Sequence, residues 1–260
     1  MITICELFGI SANRRIEVNT YLKEFFNHSI SNPNGWGMAV LDNENISIER
    51  EPLRAKDSMY LKNRLSAKVK TSRLMAHIRK ATVGHVNFSN THPFIKRDES
   101  GRTWVLVHNG TIFDAPHMNH YRFVQEGETD SERILFYLVN EINKGLEENF
   151  GSFDTNERFL VIDKMVRDLS KGNKLNLMIY DGDYFYVHKN QPETLYYKEE
   201  KGATYFSTRP LDDTEWTEFP LNQLNIYKNG QLVYTGTKHN NTYYYNEDDY
   251  KYQYLDYAEM

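Results

Sequence analysis

Three stretches decide the fold: DSERILFYLVNEINKGL from Asp130 to Leu146, NERFLVIDKMVRDLS from Asn156 to Ser170, and KLNLMIYDGDYFYVH from Lys174 to His188. In the first, Ile134, Leu138 and Ile142 recur at four-residue spacing, which gives a helix one apolar face, and Thr129 with Glu132 predicts a capping box before it. In the second, Phe159, Ile162, Val166 and Leu169 form a stripe, with Gly172 where a helix stop belongs. The third reads as two strands, Lys174 to Tyr180 and Tyr184 to His188, about the turn dipeptide Asp181-Gly182. Further on, Leu224 to Tyr227 and Gln231 to Tyr234 flank Asn229-Gly230 in the same way. Towards the N-terminus the pattern predicts a short strand at Cys5 to Ile10, a helix at Val18 to Phe26 and a turn at Ser31 to Asn34. A meander of Trp36 to Leu41 and Ile46 to Arg50 follows, then a helix over Asp57 to Val69 capped by Asp57 or Ser58. Leu74 to Ile78 and Thr103 to Val107 are apolar runs that stop at polar residues, towards a sheet edge. Strands, two adjacent helices, then strands again predict an α+β chain of two antiparallel sheets with helices packed outside.

With 260 residues, 40% of them hydrophobic, the chain can close one large core. No repeat or linker divides it, so a single domain is expected. A net charge of -5 supplies no basic field for nucleic acid or an anionic membrane surface. The longest apolar run, Ile134 to Val139, is far below the roughly 20 residues of a spanning helix, and the N-terminus lacks a secretion signal. These features predict a cytoplasmic protein whose partner is a small molecule or another protein. One cysteine permits neither an internal disulfide nor a multi-thiolate metal site. His117-Met-Asn-His120 has a spacing that metals sometimes use, but in a polar loop without a third ligand it is read as surface, and no metal or cofactor is assigned.

Cys5 is therefore core filler or chemistry. A thiol this near the chain start lies close to an α-amine, whose pKa near 8 makes it a workable base once Cys5 is the first residue. The chemistry would be acyl transfer, with the thiolate attacking a carbonyl to form a thioester. Such attack needs donors for the developing oxyanion, and Asn109 and Gly110 in His108-Asn109-Gly110 could present them, or mark a plain strand-ending turn. Arg79 could fork onto a carboxylate or be solvated. Asp130 could cap its helix or meet a substrate ammonium. Asn90-Thr-His-Pro93 reads alone as an ordinary loop.

Taken in order, Cys5-Glu-Leu-Phe-Gly9, Gly35-Trp-Gly37, His77-Ile-Arg79-Lys-Ala-Thr82, Asn90-Thr-His-Pro93, His108-Asn109-Gly110 and Thr129-Asp130-Ser-Glu132 resemble the class II glutamine amidotransferases. That family belongs to the N-terminal nucleophile hydrolases, and the chain looks closest to its stand-alone bacterial type. Ser207-Thr-Arg-Pro210-Leu211 with Trp216 extends the resemblance to about Val233. The resemblance implies a four-layer αββα sandwich of two antiparallel sheets between helix layers. It implies Cys5 as nucleophile, its freed amine as base, and Asn109 with the Gly110 backbone N–H as oxyanion hole. Arg79 and Thr82 would hold the α-carboxylate of a glutamine or γ-glutamyl substrate, Asp130 its α-ammonium, and His92 would shape the pocket.

Met1-Ile-Thr-Ile4 precedes the cysteine, so a leader of residues 1–4 is expected before a domain of residues 5–239 and a Tyr/acidic-rich tail of residues 240–260. Val83 stands where some relatives carry a histidine that contacts the substrate carboxylate. The basic residues Lys62, Arg64, Lys68 and Lys70 are read as one outer helix face, and Asp114 to Glu128 as the far wall of the pocket. Three functions follow. The chain would be a glutaminase passing ammonia or an acyl group onward, the former to a separate synthetase subunit. It would instead be a free-standing hydrolase of γ-glutamyl amides, similar to one in ergothioneine biosynthesis. Or it would be an uncleaved, non-catalytic binder of glutamine-like ligands or of a partner.

Overall fold

Along the strand Lys174–Tyr180 (β7), Leu175, Leu177 and Ile179 pack with Ile134, Leu138, Phe159 and Ile162 of two helices. Met178 and Tyr180, on the opposite face, pack with Leu7, Met75 and Phe206 instead. A strand apolar on both faces must be covered on both. The computed structural model describes residues 5–42, 46–82, 84–151 and 153–247. Met1 to Ile4, Val83 and the tail beyond residue 247 lie outside the described residues.

The chain runs β1 (Glu6–Glu17), α1 (Asn19–Asn27), β2 (Trp36–Val40), β3 (Ser47–Glu51), α2 (Met59–Arg64), β4 (Lys70–Ile78), β5 (Phe94–Arg97) and β6 (Thr103–Thr111). It continues with α3 (Asp130–Glu148), α4 (Thr155–Leu169), β7, β8 (Phe185–His188), β9 (Tyr196–Glu200), β10 (Ala203–Ser207), β11 (Thr217–Glu218), β12 (Asn225–Lys228) and β13 (Gln231–Thr235). One sheet has the order β11-β9-β10-β1-β4-β2-β3 and the other β13-β12-β8-β7-β6-β5, with antiparallel neighbours throughout. The α1 residues Leu22, Phe25 and Phe26 cover the first sheet through Phe8, Ile10 and Trp36. Helices α3 and α4 cover the second. Each such Leu, Ile or Phe contributes about 2 kcal/mol on burial. The result is the expected α+β sandwich, in layer order helix, sheet, sheet, helix.

Some boundaries differ from the sequence expectation, each for a tertiary reason. The helix expected to Val69 ends at Arg64, because the Asn19 carboxamide donates to the Leu65 and Ala67 carbonyls and accepts from Val69 N. Ser58 is its cap, accepting from Leu61 N. Lys68 and Lys70 therefore lie beyond that helix, and Lys68 pairs with Glu17 at 3.0 Å. Thr129 caps α3, but the Glu132 carboxylate turns to the backbone N–H groups of Glu126 and Gly127, so the box is not closed. A reciprocal box stands before α4, between Asp154 and Glu157. Strand β6 runs through His108-Asn109-Gly110 to Thr111, so these residues are inside a strand rather than in a turn after one.

Candidate active site

Alternation along four strands brings the candidate residues to one end of the gap between the sheets. On β4, Met75 faces the gap, so His77 and Arg79 two and four residues on share that face. On β1, Leu7 faces it opposite His77, which places Cys5, two residues earlier, beside Arg79. From the other sheet, Val105 and Val107 of β6 put Asn109 on the same side, and Met178 of β7 puts Asn176 and Lys174 there. His108, one residue out of phase, points to the helix layer and reaches Ser131 Oγ of α3 at 3.0 Å.

The Cys5 thiol is buried against Phe113. Its Sγ lies 3.4 Å from both Lys80 N and Lys80 O, accepting from the first and donating to the second. Burial pushes the thiol pKa up; the Lys80 N–H and the charges of Arg79 and Lys174 pull it down, and Asp130 pushes it up again. Arg79 is buried, and its guanidinium donates to the carbonyls of Gly84 and His85 at 3.1 and 2.9 Å, which orients it against the loop after β4. Asp130 is buried at the first turn of α3, accepting from Ile112 N at 2.7 Å and from Ser131 N at 2.9 Å. Thr129 supplies the cap, so Asp130 is not the capping residue.

Asn109 is almost fully buried, and its Oδ1 faces Lys174 Nζ at 3.4 Å. A lysine has donors only, so the atom facing it must be the carbonyl oxygen, and the Asn109 NH2 is turned the other way. That NH2 donates to no described protein acceptor. Gly110 is fixed by packing: a Cβ there would stand 2.0 Å from the Lys174 carbonyl oxygen and 2.3 Å from His108 Nε2. His92 is buried and packs on His77, ring centroids 4.0 Å apart and tilted by 34°. Burial first, then the neighbouring His77 and His108 rings and the Arg79 and Arg50 guanidinium groups, holds its pKa well below 6.5, so the ring is neutral. Thr82 is half-buried in the loop after β4, and among the described residues no hydrogen bond or ion pair ties it to the other site residues.

The flanking segments hold these residues in place. The motif Gly35-Trp-Gly37 packs on Asn90-Thr-His-Pro93, where a Cβ on Gly37 would stand 2.0 Å from the His92 carbonyl oxygen. Arg50 ties the same loop by donating to the Thr91 and Pro93 carbonyls. On β1, Thr208 Oγ1 accepts from Leu7 N, and Arg209 pairs with the buried Glu6. The sequence model of the family described as glutamine amidotransferases class-II matches residues 4–201.

The chain belongs to the class-II glutamine amidotransferases. Similar to it is an uncharacterized protein of Methanocaldococcus jannaschii, 27% identical over 263 residues that cover 90% of this chain and 72% of that one. The fold is shared with the predicted glutamine amidotransferase of Pseudomonas aeruginosa, at TM-score 0.62 and 22% identity, over 88% of this chain and 100% of that one. It is shared too with glutamine phosphoribosylpyrophosphate amidotransferase of Bacillus subtilis, at TM-score 0.67 and 18% identity, over 90% of this chain and 49% of that one.

For a class-II amidotransferase chain, two site features were not legible beforehand. Lys174 reads in sequence as the first residue of a strand, with nothing to mark it as a buried cation. Phe113 stands just before the expected far wall, yet it is the side chain that packs on Cys5. Asn173 anchors it, accepting from the N–H groups of Phe113 and Asp114. Tyr243 stacks on Phe113 at 5.8 Å, so the stretch after residue 239 begins against the site. His117 and His120 pack on Tyr137 and Tyr121. Among the described residues no helix is long and apolar enough to cross a membrane.

Proposed function

We propose that the protein hydrolyses the side-chain amide of glutamine, or of a γ-glutamyl compound, through a thioester on Cys5. The observation that carries this reading is the convergence, at one end of the gap, of the thiol with a guanidinium, a carboxylate and a carboxamide. Arg79 matches the substrate α-carboxylate, with Thr82 beside it, and Asp130 matches the α-ammonium; fixing both ends sets the side-chain carbonyl over the sulfur. His92, neutral and buried, shapes the pocket and moves no proton.

Sγ adds to the amide carbon while its proton passes to the α-amine of Cys5, which exists as an amine once the Ile4–Cys5 bond is cut. The negative charge on the carbonyl oxygen is met by Asn109 Nδ2 and the Gly110 N–H. The C–N bond then breaks as the proton moves to the leaving nitrogen, releasing ammonia or an amine. Water adds to the thioester, the C–S bond breaks, and a carboxylate and the free thiol result. Ammonia would pass to a separate synthetase subunit; an amine product needs no partner.

The test joins intact mass to glutamine hydrolysis, measured on the full chain and on a variant in which Met directly precedes Cys5. Protein beginning at Cys5 is expected to hydrolyse glutamine or a γ-glutamyl amide, and Cys5→Ala is not. Equal turnover by the Ala variant would remove the sulfur from the mechanism. Turnover by an uncut chain would remove the terminal amine. An uncut chain that binds glutamine without turnover leaves a receptor.

A further inference from the structure

Lys174 is a lysine 4% exposed at the start of β7 whose Nζ reaches a neutral carboxamide oxygen and, among the described residues, pairs with no carboxylate. A buried ammonium is costly unless something nearby uses its charge. It sits opposite Thr111 on β6, and its own carbonyl accepts from the His108 ring. Among the described residues, the titratable groups around this end of the gap are Cys5, His77, Arg79, His92, His108 and Asp130. Of these, Cys5 is the one whose charge acts favourably on Lys174, and the action is mutual. Burial pulls the ammonium down to about 8, so near neutral pH it is still mainly charged.

We propose that Lys174 is a positioning residue of this site, orienting the Asn109 carboxamide and adding to the Arg79 charge a second positive charge against which the Cys5 thiolate forms. The first role follows from chemistry: a donor-only group on Oδ1 fixes the amide flip and turns Nδ2 towards the reacting carbonyl. The second follows from burial: a cation in a poorly solvated gap acts strongly on a thiolate beside it. The inference rests on the reading of Cys5 as nucleophile, and its test separates the two.

Cys5 is the chain's single cysteine, so its alkylation by iodoacetamide, followed by intact mass across pH, reports thiolate formation without turnover. In Lys174→Met the alkylation midpoint is expected to rise by roughly one pH unit, since an opposite charge has been removed. Its kcat for glutamine is expected to fall roughly 100-fold or more, with KM within about threefold. Lys174→Gln can still donate to Asn109 Oδ1 but carries no charge. It is expected to recover part of kcat while keeping the raised midpoint. A folded Lys174→Met with unchanged midpoint and kcat would overturn the proposal; should that variant not fold, an unchanged midpoint in Lys174→Gln would do so. A shifted midpoint in a protein whose wild type has no amidase activity would retain the cation's role and discard the hydrolase reading.

Discussion

Arg209 Nε donates to Glu6 Oε2 at 3.1 Å, joining the residue after Cys5 to one 203 positions along the chain. Glu6 is fully buried and also meets His28 Nδ1 at 2.8 Å and Asn32 Nδ2 at 3.1 Å. Its side chain points to the α1 layer while Cys5 faces the gap, so this carboxylate fixes the start of β1 from behind.

Arg209→Met is therefore expected to lower unfolding free energy by about 1 to 3 kcal/mol. The figure is set below that of a fully buried pair because the Arg209 side chain is 41% exposed. Urea denaturation measures it. Arg209→Met combined with Glu6→Gln should recover part of the loss, because no charge is left stranded.

Asn109→Ala is expected to reduce kcat for glutamine by roughly 100- to 1,000-fold at similar KM, as for loss of one oxyanion donor. Unchanged kcat would take Asn109 out of the oxyanion hole. Steady-state ammonia release with a thermal melt of the same sample separates this from a folding defect.

If Asp130 holds the α-ammonium as proposed, Asp130→Asn is expected to raise KM for glutamine roughly tenfold by removing that charge. The carboxamide oxygen can still accept from Ile112 N, so the fold should hold. Glutaric acid monoamide, which lacks the α-amine, should be used equally by wild type and variant. If the variant's KM rises as much for that compound, Asp130 acts on something else.

Stability should fall on mild acidification. His77 and His188 are buried, and burial first, with Arg79 near one and His239 near the other, holds each at about 3. The unfolded chain takes up these protons near 6.5 and the folded chain does not. Their contribution is therefore full above pH 6.5 and is lost as pH falls from there towards 3. Two such rings give a slope of about 2 to 3 kcal/mol per pH unit below pH 6. Urea midpoints between pH 8 and 5 check it, and a flat profile would mean the rings are solvated.

Gly110→Ala is expected to cost about 1 to 3 kcal/mol and to displace Asn109, because the new methyl meets the β7 backbone at 2.0 Å. Backbone cannot turn aside as a side chain can. Near-wild-type stability and kcat together would show that the β6–β7 pair relaxes more easily than its geometry suggests.

Local pattern made α1, α3, α4 and the two hairpins legible, because an apolar face at period 3.6 or a turn dipeptide is written in neighbouring residues. The β12–β13 turn shows this: Asn229 and Gly230 both adopt the left-handed backbone that such a turn needs, at φ 52° and 76°. Strand β9 was not legible, since Tyr-Tyr-Lys-Glu-Glu has no apolar alternation. The end of α2 was not legible either, because the group that stops it, Asn19, lies on α1.

The family resemblance carried by the ordered motifs pointed to Cys5, Arg79, Asn109, Gly110 and Asp130, although taken singly each also read as core filler, turn, solvated side chain or helix cap. The resemblance also implied the two-sheet sandwich. Only the folded chain decided that β1 and β4 of one sheet and β6 and β7 of the other share one gap, and so that Lys174 sits against Asn109 and electrostatically beside Cys5. Strand parity tells which residues share a face of one strand. Which faces meet across two sheets is fixed by pairing register over long sequence separations, and no local pattern encodes that.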